Sequence, residues 1–201
     1  MRGPAIIAAA VALLIVFSLG RPLQAQAQTK LKSSECCPVK IKKSGSYILT
    51  GKLDPGNKNA DAIEVSASNV AIDLNGFAIT GPNTGGSGIG VDAAAQENVT
   101  VRDGSVSGMG AVGIVVGNYG VVRAVRATGN GVGGSGAGIQ CTGASCFFAD
   151  CIASGNSSPG LVFLDTSSGY QNNVITGNTG GTVSSGTNMG ANVCNSTATC
   201  P

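Results

Sequence analysis

Five tetrads of one form recur along this chain. They are Ala62-Ile63-Glu64-Val65, Gly88-Ile89-Gly90-Val91, Gly113-Ile114-Val115-Val116, Gly138-Ile139-Gln140-Cys141 and Gly160-Leu161-Val162-Phe163. Each reads small, apolar, variable, apolar. Their second members follow one another at 26, 25, 25 and 22 residues. A second echo trails each tetrad: Thr80-Gly81, Ser107-Gly108, Thr128-Gly129, Ser154-Gly155 and Thr176-Gly177. A period of this size builds a stacked array in which each unit is completed by its neighbours.

Each unit holds two short, β-branched runs that alternate on a period of two. The first is the tetrad. The second is Asn69 to Leu74, then Asn98 to Arg102, Gly120 to Val125 and Phe147 to Ile152, with a degenerate copy at Asn172 to Thr176. Gly, Ser, Asn and Thr fill the intervals. With 32 glycines and no tryptophan in 201 residues, long helices have little support. The pattern predicts an all-β, single-stranded parallel β-helix of about six coils, with equivalent strands about 4.8 Å apart. Its inner column is expected to run Ile63, Ile89, Ile114, Ile139, Leu161. Asn130, Asn156 and Asn178 each follow the second echo and are expected to stack as a hydrogen-bonded amide ladder.

The stretch Asn69-Val70-Ala71-Ile72-Asp73-Leu74-Asn75-Gly76-Phe77, the Gly-Ile-x-Val and Thr-Gly-Asn copies, and the closing Gly169 to Gly180 resemble the right-handed parallel β-helix repeat proteins. That superfamily includes the pectate lyases. The resemblance covers residues 44 to 201 and implies right-handed coiling. The ending Asn192-Val193-Cys194 to Cys200-Pro201 is similar to the terminus of exported bacterial members.

Residues 1–27 read as a secretory signal peptide: Arg2, an apolar run from Ala5 to Leu19, and Ala25-Gln26-Ala27 before a cut at Gln28. The run is shorter than the roughly 20 residues of a spanning helix, so no stable membrane insertion is expected after cleavage. The protein is expected to be secreted or periplasmic. Residues 28–43 form a Lys-rich N-terminal cap, 44–181 the repeats and 182–201 a C-terminal cap. Gly45 to Leu49 is expected to open the first coil. Export favours oxidation of the seven cysteines. Cys194 and Cys200 are the first candidate pair. Cys141 is expected to point inward, with Cys146 or Cys151 as a partner. An odd total leaves at least one thiol over.

Charge is unevenly spread. Residues 28–58 hold seven lysines against Glu35 and Asp54, whereas residues 59–201 hold three arginines against eight carboxylates. The repeat body has no basic stripe, which speaks against nucleic-acid binding. The lysines read as a solvated cap, with binding to an anionic surface as the alternative.

The superfamily resemblance implies polysaccharide chemistry, but this chain departs from its catalytic patterns. It has no Asp-Asp pair, no histidine for a Gly-His-Gly motif, and no clustered carboxylates offering the six to eight oxygens calcium wants. Metal ligation, a cofactor and Ser-His-Asp catalysis are therefore not expected. A maturation role like that of β-helix proteins linked to copper enzymes finds no histidine and only three methionines. One constellation stands out. Aligning Asn69 with Asn98 sets Asp73 over Arg102, with Arg123 in the same column and Asp103 beside it. Such a column is either an ion pair between coils or a contact for an acidic sugar. Of Phe147 and Phe148, one should face outward. The reading is an exported, non-catalytic β-helix protein, structural or binding a polysaccharide or cell-envelope glycan. The alternative is a lyase or hydrolase of acidic polysaccharides.

Overall fold

The computed structural model describes residues 27–195 and Cys200. The expected signal peptide lies outside them, apart from Ala27. The described chain is an all-β parallel solenoid of about seven turns. Every strand pairing is parallel.

Three faces run along the stack. The first consists of Val39–Ile41, Ile63–Val65, Val91–Ala93, Ile114–Val116, Ile139–Cys141, Leu161–Phe163 and Val183–Ser184. The second begins at Thr29–Leu31 and Gly45–Leu49 and continues through Val70–Asp73 to Phe147–Ala149, Gly169–Gln171 and Thr187–Asn188. The third includes Ala78–Thr80, Ile152–Ser154, Val174–Thr176 and Val193–Cys194. The long strands Val99–Ser107 and Val121–Thr128 serve the second face and then bend into the third.

Single left-handed residues make the corners. Between the first and second faces stand Asn69, Asn98, Tyr119 and Ser145, with φ from 54° to 58°. Between the second and third stand Asp103, Ala124, Asp150 and Asn172, with φ from 50° to 60°. After the third come Gly108, Gly129, Gly155 and Gly177, with φ from 61° to 65°. Glycine takes this conformation without the penalty a Cβ brings. The second echo is thus the end of the third face. Thr80, Ser107, Thr128, Ser154 and Thr176 pair in register up the stack.

Period-two alternation sends every other side chain inward. Tyr47, Ile72, Val101, Val122, Phe148 and Tyr170 line the second face from within, each buried. Ile79, Val106, Ala127, Ala153 and Ile175 line the third. Phe148, Phe163 and Tyr170 stack with ring centroids 4.6 and 5.9 Å apart. Phe148 fills the coil in which the third face contributes only Ala153. Burying one large apolar side chain is worth about 1.5–3 kcal/mol.

The inner column of the first face departs from expectation at one place. Val91, not Ile89, pairs with both Ile63 and Ile114. Ile89 is half-buried in the preceding loop, and its N–H donates to Asp61 Oδ1 at 2.8 Å. The tetrad Gly88-Ile89-Gly90-Val91 contains two Gly-aliphatic steps, and the second one takes the column. Gly90 shows why. A Cβ there would lie 2.4 Å from Gly113 O and from Val106 Cγ1, so a residue without one is required just before the strand.

Both ends also differ from the expected caps. The Lys-rich segment pairs into the stack, Val39–Ile41 with Ile63–Val65 and Thr29–Leu31 with Tyr47–Leu49. Gly45–Leu49 is therefore the second rung of its face, not the first. At the far end Val183–Ser184, Thr187–Asn188 and Val193–Cys194 each extend a face by one strand. These additions raise the count from six coils to about seven.

Asn130, Asn156 and Asn178 form an amide ladder. Asn130 Nδ2 donates to Asn156 Oδ1 at 3.1 Å, and Asn156 Nδ2 to Asn178 Oδ1 at 2.8 Å. The backbone N–H groups of Asn130 and Asn156 donate to the same oxygens, both at 2.9 Å. The second amide hydrogens reach Val106 O, Ala127 O and Ala153 O. Gly138 and Gly160 make room, since a Cβ on either would lie 2.7 Å from a ladder nitrogen. The glycines that open the last three tetrads, Gly113, Gly138 and Gly160, are thus close-approach residues beside the ladder.

Cys194 and Cys200 are bonded, with Cα atoms 5.3 Å apart, as are Cys141 and Cys146, at 6.3 Å. Cys36 pairs with Cys37 across a cis peptide bond. Cys151 is the free thiol.

Candidate functional site

The outward side of the second face carries the polar constellation. Because Ile72 and Val101 point in, Asp73 and Arg102 point out. The register sets Asp73 beside Arg102 and Arg102 beside Arg123. Arg102 Nη2 lies 2.5 Å from Asp73 Oδ2, while Nη1 pairs with Asp103. Asp73 is the most enclosed of the group and also accepts the Asn75 N–H at 2.7 Å. Arg123 is looser, with Nη2 4.0 Å from Asp150 Oδ2 and the side chain 59% exposed.

All four sequence-predicted residues therefore share one patch, but the two arginines are unequal. Arg102 is shared by two carboxylates. Arg123 has only a distant one, and Asp150 is also held by the Asn172 amide. The carboxylates of Asp73 and Asp103 both pair with the Arg102 guanidinium.

Beside the column lies a shallow groove of about 310 Å³ lined by Ser46, Asn69, Ala71, Asn98 and Thr100. Its edge is a rung of the first corner, where Asn98 Nδ2 donates to Asn69 Oδ1 at 2.8 Å. Its floor is small because Ala71 and Thr100 are adjacent outward positions in register. Two coils further along the same outward column, Val121 is followed by Phe147. Phe148 is fully buried, so Phe147 is the outward member of the pair. The face thus offers amide donors and acceptors, a hydroxyl, a loosely held guanidinium and an aromatic edge.

The first face presents a different outward column: Lys40, Glu64, Asp92, Val115, Gln140, Val162 and Ser184. Lys40 Nζ lies 3.0 Å from Glu64 Oε2 and, through that bond, holds the Glu64 carboxyl below its usual range. Asp61, next to this column, is pushed up by burial, partly offset by the Ile89 N–H. A second groove of about 310 Å³, touching Val112, Gln140, Pro159 and Val162, opens further along. It has no charged lining. Among the described residues, no group of three or more His, Cys, Asp or Glu side chains could hold a metal ion.

The sequence reading missed the Asn69–Asn98 rung and a second interior ladder. Asn173 Nδ2 donates to Asn192 Oδ1 at 3.0 Å and the Asn173 N–H to the same oxygen at 2.9 Å. Cys151 stands in the next lower place of that column. Its N–H donates to Asn173 Oδ1 at 2.9 Å, and its thiol faces Val122 O at 3.6 Å. Burial pushes that thiol's pKa up to about 12. The repeated Asn-Val of Asn173-Val174 and Asn192-Val193 was the available signal.

The class defined by fold and face is a parallel β-solenoid with an open polar strand face. Comparison of the chain with protein-family models, curated proteins and solved structures found no match.

Proposed function

We propose that this is an exported, non-catalytic β-helix protein that binds an acidic glycan along its second face. One observation carries the reading: the Asp73–Arg102–Arg123 column lies in register beside the Asn69–Asn98 rung on an uncovered strand face. Carboxylates and hydroxyls of a uronate chain match a guanidinium, paired amides and Thr100. Phe147 supplies an aromatic surface of the kind that packs against a sugar ring. Coils repeat at about 4.8 Å, so a polymer lying along the axis meets Asp73, Arg102 and Arg123 at successive rungs. The disulfides, and the absence of any spanning helix among the described residues, are compatible with an extracellular setting.

The test is a glycan array followed by titration of uronate polymers. The Arg102→Ala/Arg123→Ala double variant should lose binding with its fold intact. Unchanged binding removes this face from consideration. A second reading, polysaccharide cleavage, draws on the superfamily resemblance. Reducing-sugar and unsaturated-product assays on the same polymers, with and without calcium, address it directly. Turnover there would replace the binding reading with an enzymatic one.

A further inference from the structure

The first coil carries a feature that the glycan face does not use. Seven lysines fall between residues 28 and 58, and all are exposed. Among the described residues, only Lys40 and Lys52 have acidic partners, Glu64 at 3.0 Å and Asp54 at 3.5 Å. Lys30, Lys32, Lys42, Lys43 and Lys58 show no carboxylate within 4.0 Å, although the Lys42 charge acts on Glu64 at longer range.

Their placement is transverse to the stack. Lys30 projects from the first strand of the second face and Lys32 follows it. Lys40 projects from the first strand of the first face, and Lys42 and Lys43 occupy the corner between the two. Thr29–Leu31 and Val39–Ile41 are the terminal strands of their sheets. The lysines therefore form a collar around one end of the solenoid. The lysine charge does not continue directly up either face, and the next charges in both columns are acidic. Lys40 is followed in its column by Glu64 and Asp92, and Lys30 by Ile48 and Asp73. A linear polyanion would be served by a basic row along one face. A collar around an end suits a flat anionic surface met end-on.

Export across a bilayer, the reading given to residues 1–27, would deliver this end of the solenoid beside lipid headgroups even after cleavage. We infer that the N-terminal end of the solenoid seats end-on against an anionic phospholipid surface, leaving the second face free along its length. This binding is electrostatic and peripheral. Each lysine near such a surface is worth about five-fold in affinity, and the attraction falls away as salt shortens the Debye length to about 3 Å at 1 M.

The experiment uses the chain from Gln28 onward, which contains every described strand, and vesicles of phosphatidylcholine with or without phosphatidylglycerol. Co-sedimentation should require the anionic lipid and fade at high salt. The variant Lys30→Gln/Lys32→Gln/Lys42→Gln/Lys43→Gln replaces only exposed side chains that form no close ion pair, so its circular dichroism should match the parent. Its vesicle affinity should fall roughly several hundred-fold, while Arg102→Ala/Arg123→Ala should leave vesicle binding unchanged. The chain has no tryptophan, so Ser34→Trp and Thr187→Trp report the two ends separately. Brominated lipid should quench only the first. Absence of binding to anionic vesicles, equal binding to neutral ones, or full binding by the lysine variant would overturn the inference. So would equal quenching at both ends, or soluble polyglutamate binding the chain as tightly as vesicles do.

Discussion

Two polar columns climb this solenoid at the same strand spacing, and they are put to opposite uses. Asn130, Asn156 and Asn178 lie inside, where every amide hydrogen and oxygen of the central residue has a partner. Asp73, Arg102 and Arg123 lie outside, partly solvated and unequally paired. Stacking alone does not decide what a column does. Inside, an unmet amide carries its full desolvation penalty, so the ladder fixes register. Outside, water competes for each group, and the column contributes little to stability but remains open to a ligand.

The largest effect that separates the two should come from Asn156→Ala. It removes the acceptor used by two Asn130 donors and the donor to Ala127 O, while Asn178 Oδ1 keeps only the backbone N–H of residue 156. At about 1–3 kcal/mol for each buried group left unmet, a loss of about 3–5 kcal/mol in urea denaturation is expected. A loss below about 1 kcal/mol would mean that the ladder does not organise the core.

Gly138→Ala probes the space beside the ladder rather than the ladder itself. The new Cβ would meet Asn156 Nδ2 at 2.7 Å and Gly160 O at 2.8 Å. Overpacking of this kind costs about 1–3 kcal/mol, readable as a lower thermal midpoint. An unchanged midpoint would refute the close-approach role given to the tetrad glycine.

Cys151 allows the inner column to be extended. It occupies the rung below Asn173, and its thiol already faces Val122 O. Cys151→Asn should place an amide donor toward that carbonyl and leave stability equal or raised by up to about 1 kcal/mol. Cys151→Leu, which is larger and cannot donate, should lower it. Denaturation of both variants checks the ordering, and the reverse ordering would deny the second ladder its third place.

The smallest stability effect belongs to the outer column. Arg102→Ala should change stability by no more than about 1 kcal/mol, because its ion pairs are partly exposed. A loss comparable to that of Asn156→Ala would show the outer column to be structural and would remove the reason for assigning it a ligand.

The contrast between the columns also marks what was legible in the chain. Interior repetition is imposed by stacking, so Ile114, Ile139, Leu161 and the three ladder asparagines could be aligned by spacing alone. Arg102 and Arg123 aligned because their strands carry matching Val-Arg steps. Ile89 misled because two Gly-aliphatic steps fall within one tetrad, and choosing between them depends on a backbone contact from Gly90 to the next coil. The terminal coils were obscured by composition. Val39-Lys40-Ile41 has the period of a strand, but its lysine density reads as a solvated cap until the pairing with Ile63–Val65 is visible. The groove beside Asn69 and Asn98 was hidden because their side-chain contact depends on left-handed corners that spacing does not reveal.

All of these comparisons depend on how the coils are stacked, and methyl NOEs measure that directly. With Ile and Val methyl groups labelled, Val91 should show cross-peaks to both Ile63 and Ile114, and Ile114 to Ile139. Strong Ile89 to Ile114 cross-peaks with none from Val91, or no contacts between these coils, would contradict the register on which both columns stand.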